Sequence, residues 1–263
     1  MKENNLKVLI ASPIFDKMKY CSKEFIKSMK SLDYDNYDFL LIDNSRTNDF
    51  FNELKEEKGI ILLKDNTKEE ANLKRVVSSR NKILQYALDN LYDYVLMMDS
   101  DVIPPKNIIS ELLSCNKDIV SGVYFNYFNS GGKTKFLPVA WLPISQKEFE
   151  EIKSKTNLSP LVKSHLDIRR HLTQEEVDSN ALIKVLIPSP GCMLIKKQVF
   201  NKARYGLVEM PDNIYTSDDI YFMQKARELG FEPYCYTKIK CEHLIKGKFE
   251  RDSEGALHHP LFK

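Results

Sequence analysis

The stretch YVLMMDSDVIPP, residues 94–105, decides how the rest of the chain is read. Tyr94 to Met98 make an apolar run with the length and composition of a strand covered on both faces. It ends in two aspartates one residue apart, Asp99 and Asp101, and then in Pro104 and Pro105. If the extended geometry continues through the motif, alternate residues share a face, so both carboxylates point into one crevice and Ser100 points away. The prolines then end the strand and open a helix, because proline suits the first helical turn. Two carboxylates this close repel unless a cation lies between them, and oxygen ligands of this kind suit Mn2+ or Mg2+. The plainer reading is a pair of capping or solvated loop residues.

Outward from this stretch, strands and helices alternate. Leu6 to Ala11, Asp38 to Ile42 and Ile60 to Leu63 are short aliphatic runs, and helical stretches lie around 22–32, 48–57 and 69–91. Such alternation predicts an α/β fold with a mostly parallel central sheet flanked by helices, and ligands bound outside the carboxyl ends of its strands. The second half reads as a smaller, mixed β region. Residues 119–128 and 134–142 resemble strands joined through Ser130-Gly131-Gly132, a hairpin-like turn. Residues 145–181 are charged, read as helical, and carry no legible chemistry; they are taken as an insertion or lid. Order returns with IKVLIP (183–188), CMLIKKQVF (192–200), a helix from about Ser217 to Gly230, and PYCYTKIKC (233–241). One domain is expected over 1–263: a first half to residue 103, a second half over 104–244, and a tail from 245.

Composition narrows the function. Lys and Arg number 39 against 37 Asp and Glu, a net charge of +2, so no strong field draws in nucleic acid or an anionic membrane. The five cysteines are odd in number and show no CxxC spacing, which suits a reducing compartment. The apolar core of MKENNLKVLIASP is too short for a signal peptide, and no run approaches the ~18 apolar residues of a membrane span. A cytoplasmic protein is expected, with peripheral attachment to a membrane left open. GxxxxGK[ST] and GxGxxG are absent, so no glycine-rich loop can cradle phosphates. A metal at the acidic pair can do that instead, neutralising a departing diphosphate.

Further residues invite both plain and functional readings. In the helix over 69–91, Leu73, Val76, Val77, Leu84, Ala87, Leu88 and Leu91 form one stripe, and Arg80 falls on it. A guanidinium directed at the sheet needs an anion, either a strand-end carboxylate or a ligand. Asp43-Asn44-Ser45 reads equally as a turn. Asp218 and Asp219 follow Thr216 and Ser217, good N-caps, and suit a first helical turn; Ile220, Met223 and Ala226 form the inward stripe and Gly230 the end. Gly191 permits close backbone approach, whereas Cys192, with no basic neighbour, reads as a small core residue. Trp141, a single tryptophan at a strand end, reads as core. His243 reads as a satisfied histidine or a ligand, and His258 and His259 lie in the tail.

Together KVLIASPIFD, LLIDNS, SSRNKILQYAL and VLMMDSDVIPP resemble the nucleotide-sugar half of GT-A-fold glycosyltransferases, especially the family 2-like group. PSPGCMLIKKQVF, TSDDIYFMQKARELGF and CEHL follow in the matching order, so the resemblance covers most of the chain outside 145–181. It implies a single GT-A-like, Rossmann-like domain that moves a sugar from a nucleoside-diphosphate sugar to a glycan, lipid-linked or protein acceptor, with inversion. It also implies roles. Pro13 borders the nucleobase, Asp43 bonds the base or ribose, and Arg80 sits near the base and the first aspartate. Asp99 contacts the ribose or the metal, Asp101 ligates Mn2+ or Mg2+, and His243 adds a ligand that favours Mn2+. Asp219 is the general base with Asp218 in reserve, although Asp218 stands where the family carries glutamate; Gly191 and Cys192 lie on the acceptor side. A nucleotidyltransferase of similar fold needs a glycine- and basic-rich first loop, and ASPIFDKMK lacks that glycine richness. A nucleotide-sugar-binding protein without turnover is the third reading.

Overall fold

The aliphatic runs become neighbouring strands of one eight-stranded sheet in the computed structural model, which describes residues 6–130, 133–158, 162–210, 214–215, 217–246, 250–251 and 257–258. The first four are β1 (Val8–Ile14), β2 (Tyr37–Asp43), β3 (Ile61–Lys64) and β4 (Tyr94–Met98). They run parallel in the order β3-β2-β1-β4 and are joined by α1 (Ser22–Met29), α2 (Asp49–Leu54) and α3 (Asn72–Asp89). Next come β5 (Val102–Ile103), α4 (Ile108–Ser114), β6 (Ile119–Val123), β7 (Phe125–Ser130), β8 (Lys133–Pro138) and β9 (Trp141–Pro143). The chain continues through α5 (Gln146–Lys155), β10 (Arg169–His171), α6 (Gln174–Asp178), β11 (Leu182–Lys184), β12 (Cys192–Lys196) and α7 (Lys197–Phe200). After β13 (Glu209–Met210) and β14 (Ile214–Tyr215) stand α8 (Asp218–Glu228), β15 (Pro233–Lys240) and β16 (Glu242–His243).

β12 is antiparallel between β4 and β6, β15 is parallel to β6, and β11 is antiparallel at the far edge. Because β12 runs against its neighbours, its first residue, Cys192, lies opposite Met98, at the end of the sheet where Asp99 emerges. Both faces are covered. Val8, Ile10, Leu96 and Leu194 pack with α1 and α4, while Leu9, Ala11, Val95 and Met193 pack with α3 and α8. This is the alternation a strand imposes, and it explains why each run lacks a polar face.

Pro13 fits inside β1 for a local reason. Ile14 accepts from the Asn44 N–H at 2.9 Å, so by alternation Pro13 faces β4, whose last rung with β1 is Ala11 opposite Met97. The missing proline N–H therefore costs no ladder bond.

Four details depart from the sequence reading. The run 119–128 breaks at Tyr124 into β6, in the large sheet, and β7, which pairs with β8 from Phe125 opposite Pro138 to Ser130 opposite Lys133. The hairpin is present; Gly131 and Gly132 lie outside the described residues. Residues 145–181 are helical only in part, since β10 pairs with β9 and so ties this segment to the body of the fold. Pro104 and Pro105 follow β5 and do not open a helix, since α4 starts only at Ile108 behind Asn107. On α3 the buried side chains are Arg75, Ser79, Arg80, Ile83, Leu84 and Ala87, whereas Leu91 lies beyond the helix, is 71% exposed and has a φ of 58°. The first half of α3 faces polar strand tips, so its inner face is polar there.

Candidate active site at the strand tips

The acidic motif is a turn rather than an extension of β4. The strand ends at Met98, and the Val102 N–H donates to the Asp99 carbonyl at 3.0 Å. The two carboxylates therefore meet by tight turning, and they take different partners. β5 then pairs antiparallel with β16, Val102 standing opposite His243, and the Leu244 N–H donates to the Asp101 carbonyl at 2.7 Å. This brings His243 Nε2 to 3.4 Å from Asp101 Oδ2. His243 Nδ1 lies 2.9 Å from the Phe125 carbonyl, which can only accept, so Nδ1 carries a proton; Nε2 donates to Asp101 when the ring is protonated and has a free lone pair when it is neutral. Burial works against the charged ring, but the hydrogen bond and charge of Asp101 prevail and raise the His243 pKa.

Asp99 turns to the other side. Its Oδ1 accepts from Arg80 at 2.8 Å, and Arg80 also donates to Asp218 Oδ2 at 2.7 Å. Arg80 thus forms an ion pair shared by two carboxylates, with the guanidinium also 5.3 Å from the Tyr205 ring. Burial raises the pKa values of Asp99 and Asp218, and in both the Arg80 charge opposes that without overcoming it. Tyr124 closes the circle: its hydroxyl lies 3.5 Å from Asp99 Oδ2 and its ring meets the His243 ring edge-on at 5.1 Å. Gly191 is required here, since a Cβ would fall 2.6 Å from Asp99 Oδ2 and 2.9 Å from the Tyr124 hydroxyl. Cys192 beside it is buried, and burial pushes its thiol well up, away from nucleophilic character.

Two cavities flank this centre. The first, about 510 Å3, lies over the tips of β2 and β3 and is lined among others by Asn44, Arg46, Lys64, Asp65 and Arg75. Asp43 forms its foundation instead of its wall. The carboxylate is fully buried; Oδ1 accepts from the Ser45 N–H at 2.9 Å and Oδ2 from Lys64 at 2.7 Å. Lys64 spends its other donors on the carbonyls of Ser45 (2.9 Å) and Thr47 (2.7 Å), so it fixes the loop after β2. Arg75, 8% exposed, holds the Asn44 carbonyl at 3.1 Å, and its buried Nε has no partner among the described residues. Pro13 is half-buried at the neighbouring strand tip.

The second cavity, about 420 Å3, is lined by Phe128, Trp141, Arg169, His171, Ile187, Ser217, Asp219 and Ile220. Asp218 and Asp219, adjacent in α8, divide sharply. Asp218 is committed to Arg80, whereas Asp219 faces the cavity. Asp219 Oδ1 accepts from the Ile220 N–H at 2.9 Å and from the Ser217 hydroxyl, and no hydrogen bond among the described residues falls on Oδ2. Ser217 takes the N-cap backbone position, but its hydroxyl donates to Asp219 instead of capping the helix; Thr216 lies outside the described residues.

A divalent cation fits the donor set in one specific sense. Among the described residues no group of three His, Cys, Asp or Glu side chains could hold a metal unaided. Asp101 and His243 offer one carboxylate and one imidazole with its tautomer already set, a combination suited to Mn2+ when ligand and water oxygens complete the shell.

Residues 22–204 match the family model described as glycosyl transferase family 2. The chain belongs to that family. The fold is also that of the crystal structure of GalNAc-T7 with UDP, GalNAc and Mn2+, at 12% identity and a TM-score of 0.61, over 92% of this chain and 44% of that one. This family 2 chain therefore spans less than half of that enzyme. A weaker likeness, TM-score 0.48 at 13% identity over 96% of this chain and 93% of the other, is to A197 from STIV. No curated protein sequence matches.

Sequence reasoning places Asp99, Asp101, Arg80, Gly191, Asp218, Asp219 and His243 in this family 2 chain's site, and the fold gathers them at one end of the sheet. It misses Lys64, Arg75, Tyr124, Tyr205, Phe128, Arg169 and His171. Arg75 was detectable, standing one residue before the apolar pair Val76 and Val77 on the same helix as Arg80. His171 and Arg169 carry no local signal, because only the pairing of β10 with β9 brings them to the cavity.

Proposed function

We propose that this chain transfers a glycosyl group from a nucleoside-diphosphate sugar to an acceptor hydroxyl, with a divalent cation and with inversion. The observation that carries this reading is the line of three features across the strand tips: the polar cavity over β2 and β3, the Asp101–His243 pair, and the cavity walled by Asp219. The nucleoside occupies the first cavity, against Arg75 and the loop that Lys64 fixes to Asp43. Asp101 and His243 would hold Mn2+ or Mg2+, and the ion would supply charge neutralisation for the leaving diphosphate. Arg80 keeps Asp99 aligned at the same edge, and Gly191 lets backbone and donor approach closely. Asp219 takes the proton of the acceptor hydroxyl; the Ser217 and Ile220 donors on Oδ1 leave Oδ2 for that proton. Asp218 serves Arg80 and takes no part in proton transfer.

The GalNAc-T7 structure supports UDP and Mn2+ as the first ligands to try. No helix among the described residues is long and apolar enough to cross a membrane, and all five cysteines are free, which suits the cytoplasm. The deciding experiment compares two neighbours. Asp219→Asn should abolish sugar transfer and leave donor binding within about twofold of wild type. Asp218→Asn should instead lower the melting temperature, since breaking a buried pair costs up to about 3–5 kcal/mol. Full transfer by Asp219→Asn refutes the base assignment.

A further inference from the structure

The second cavity carries information about the acceptor that the family does not supply, because half of its lining comes from this chain's own β7, β9 and β10. Its aromatic members form one cluster. His171 lies 4.5 Å from the Phe128 ring and 5.1 Å from Trp141, and Phe128 meets Trp141 edge-on at 6.0 Å. His171 Nδ1 lies 2.7 Å from the Pro138 carbonyl and so donates to it, leaving Nε2 for another partner. All three side chains are half-buried, so the cluster presents faces to the cavity without being sealed in the core. Opposite stand the carboxylate of Asp219 and the Ser217 hydroxyl.

Aromatic faces beside hydroxyl-binding groups match a sugar ring, which has apolar C–H faces and a polar rim. An acyl chain would need an apolar lining throughout. The charge is the second clue. Arg169 is exposed at the cavity edge and has no carboxylate partner among the described residues. Arg227, on α8, is near enough that burial and the Arg169 charge together hold its pKa below the usual arginine value. Glu228 offsets part of that crowding at Arg227, whereas Arg169 at the cavity edge is left to an incoming anion, which a planar guanidinium binds through paired hydrogen bonds.

Resting on the assignment of Asp219 as the acceptor-side base, we infer that the acceptor ends in a single sugar ring bearing an anionic group, stacked on the Phe128–Trp141–His171 cluster with its charge at Arg169. The anion is a carboxylate or a phosphate ester, chemistries that Arg169 reads alike.

Trp141 is the only tryptophan in the chain, so its fluorescence reports on this cavity alone. The donor-free protein is titrated with methyl glucuronide, methyl glucoside 6-phosphate, neutral methyl glucoside, and a polyprenyl phosphate in detergent. Both charged sugars should change the emission saturably, with Kd about tenfold below that of the neutral sugar, the effect of one charge-assisted contact at a partly exposed site. Arg169→Ala should erase that difference and keep the neutral-sugar Kd within about twofold, and Arg169→Lys should restore part of it. The better-binding charged sugar identifies the anion. Equal Kd values for charged and neutral sugars, a preference that survives Arg169→Ala, tighter binding of the polyprenyl phosphate, or no saturable change with any sugar would each overturn the inference. The titration needs no donor, so saturable sugar binding by a protein that shows no transfer in a separate assay with donor leaves this inference standing and strikes only the transferase reading.

Discussion

Asp101 and His243 face each other across 3.4 Å at the strand tips because Val102, next to the first, pairs with the second. A two-residue antiparallel contact between β5 and β16 thus joins ends of the sequence that no local pattern connects. It also sets the chemistry: the Phe125 carbonyl fixes the histidine tautomer, and the Asp101 carbonyl anchors the strand that follows through Leu244. The pair is thus positioned by backbone bonds of the fold itself.

Gly191 is predicted to be irreplaceable. A Cβ there meets Asp99 and the Tyr124 hydroxyl at distances real structures avoid, and Asp99 is held by its ion pair with buried Arg80. Gly191→Ala should cost about 1–3 kcal/mol of stability and weaken nucleotide binding as Asp99 leaves Arg80. Chemical denaturation and nucleotide titration check the two effects separately.

Lys64 should matter for both fold and donor site. Lys64→Met leaves the fully buried Asp43 carboxylate without its cation and frees the carbonyls of Ser45 and Thr47. A loss of about 3–5 kcal/mol is expected. The double variant Lys64→Met, Asp43→Leu should recover much of that stability, while nucleotide binding stays weak because the loop after β2 is no longer tied down. Thermal melts with and without nucleotide distinguish the outcomes.

The segment carrying Arg169 and His171 is held by a pH-dependent contact. Arg170 grips Glu176 through two bonds, 2.7 and 2.8 Å, and this hydrogen bonding lowers the Glu176 pKa from its usual 4.5. A depressed acid adds stability that is complete above its unfolded pKa and disappears as pH falls through the folded one. Glu176→Gln should therefore reduce the melting temperature at pH 7 by the modest amount of a partly exposed pair, under about 1 kcal/mol, and change nothing well below pH 4. An equal loss at both pH values contradicts this account.

Much of the fold was legible because its signals are local. The runs ending at Ala11, Ile42 and Met98 are buried on both faces, which dictates their composition, and the run ending at Leu63 forms the partly exposed edge strand beside them. The candidate site was legible where a residue type carried its own reason, as with the acidic turn, Arg80 on the sheet-facing side of α3 and the acidic start of α8. Long-range pairing hid the rest. Nothing near His171 announces that β10 will lie beside β9, and nothing near Asp43 shows that Lys64, two strands' length away, will cover its carboxylate. The split between Asp218 and Asp219 was likewise invisible, because it depends on which of the two Arg80 reaches.

The central claim is that Asp101 and His243 hold a divalent cation together with a nucleoside diphosphate. Isothermal titration of UDP into wild type, Asp101→Ala and His243→Ala, each with and without Mn2+, tests it most directly. The account predicts tight binding only for wild type with Mn2+, near-complete loss in Asp101→Ala, and a 10- to 100-fold weakening, roughly, in His243→Ala. Equal UDP affinity with and without Mn2+, or Mn2+-dependent binding that survives in Asp101→Ala, would contradict it.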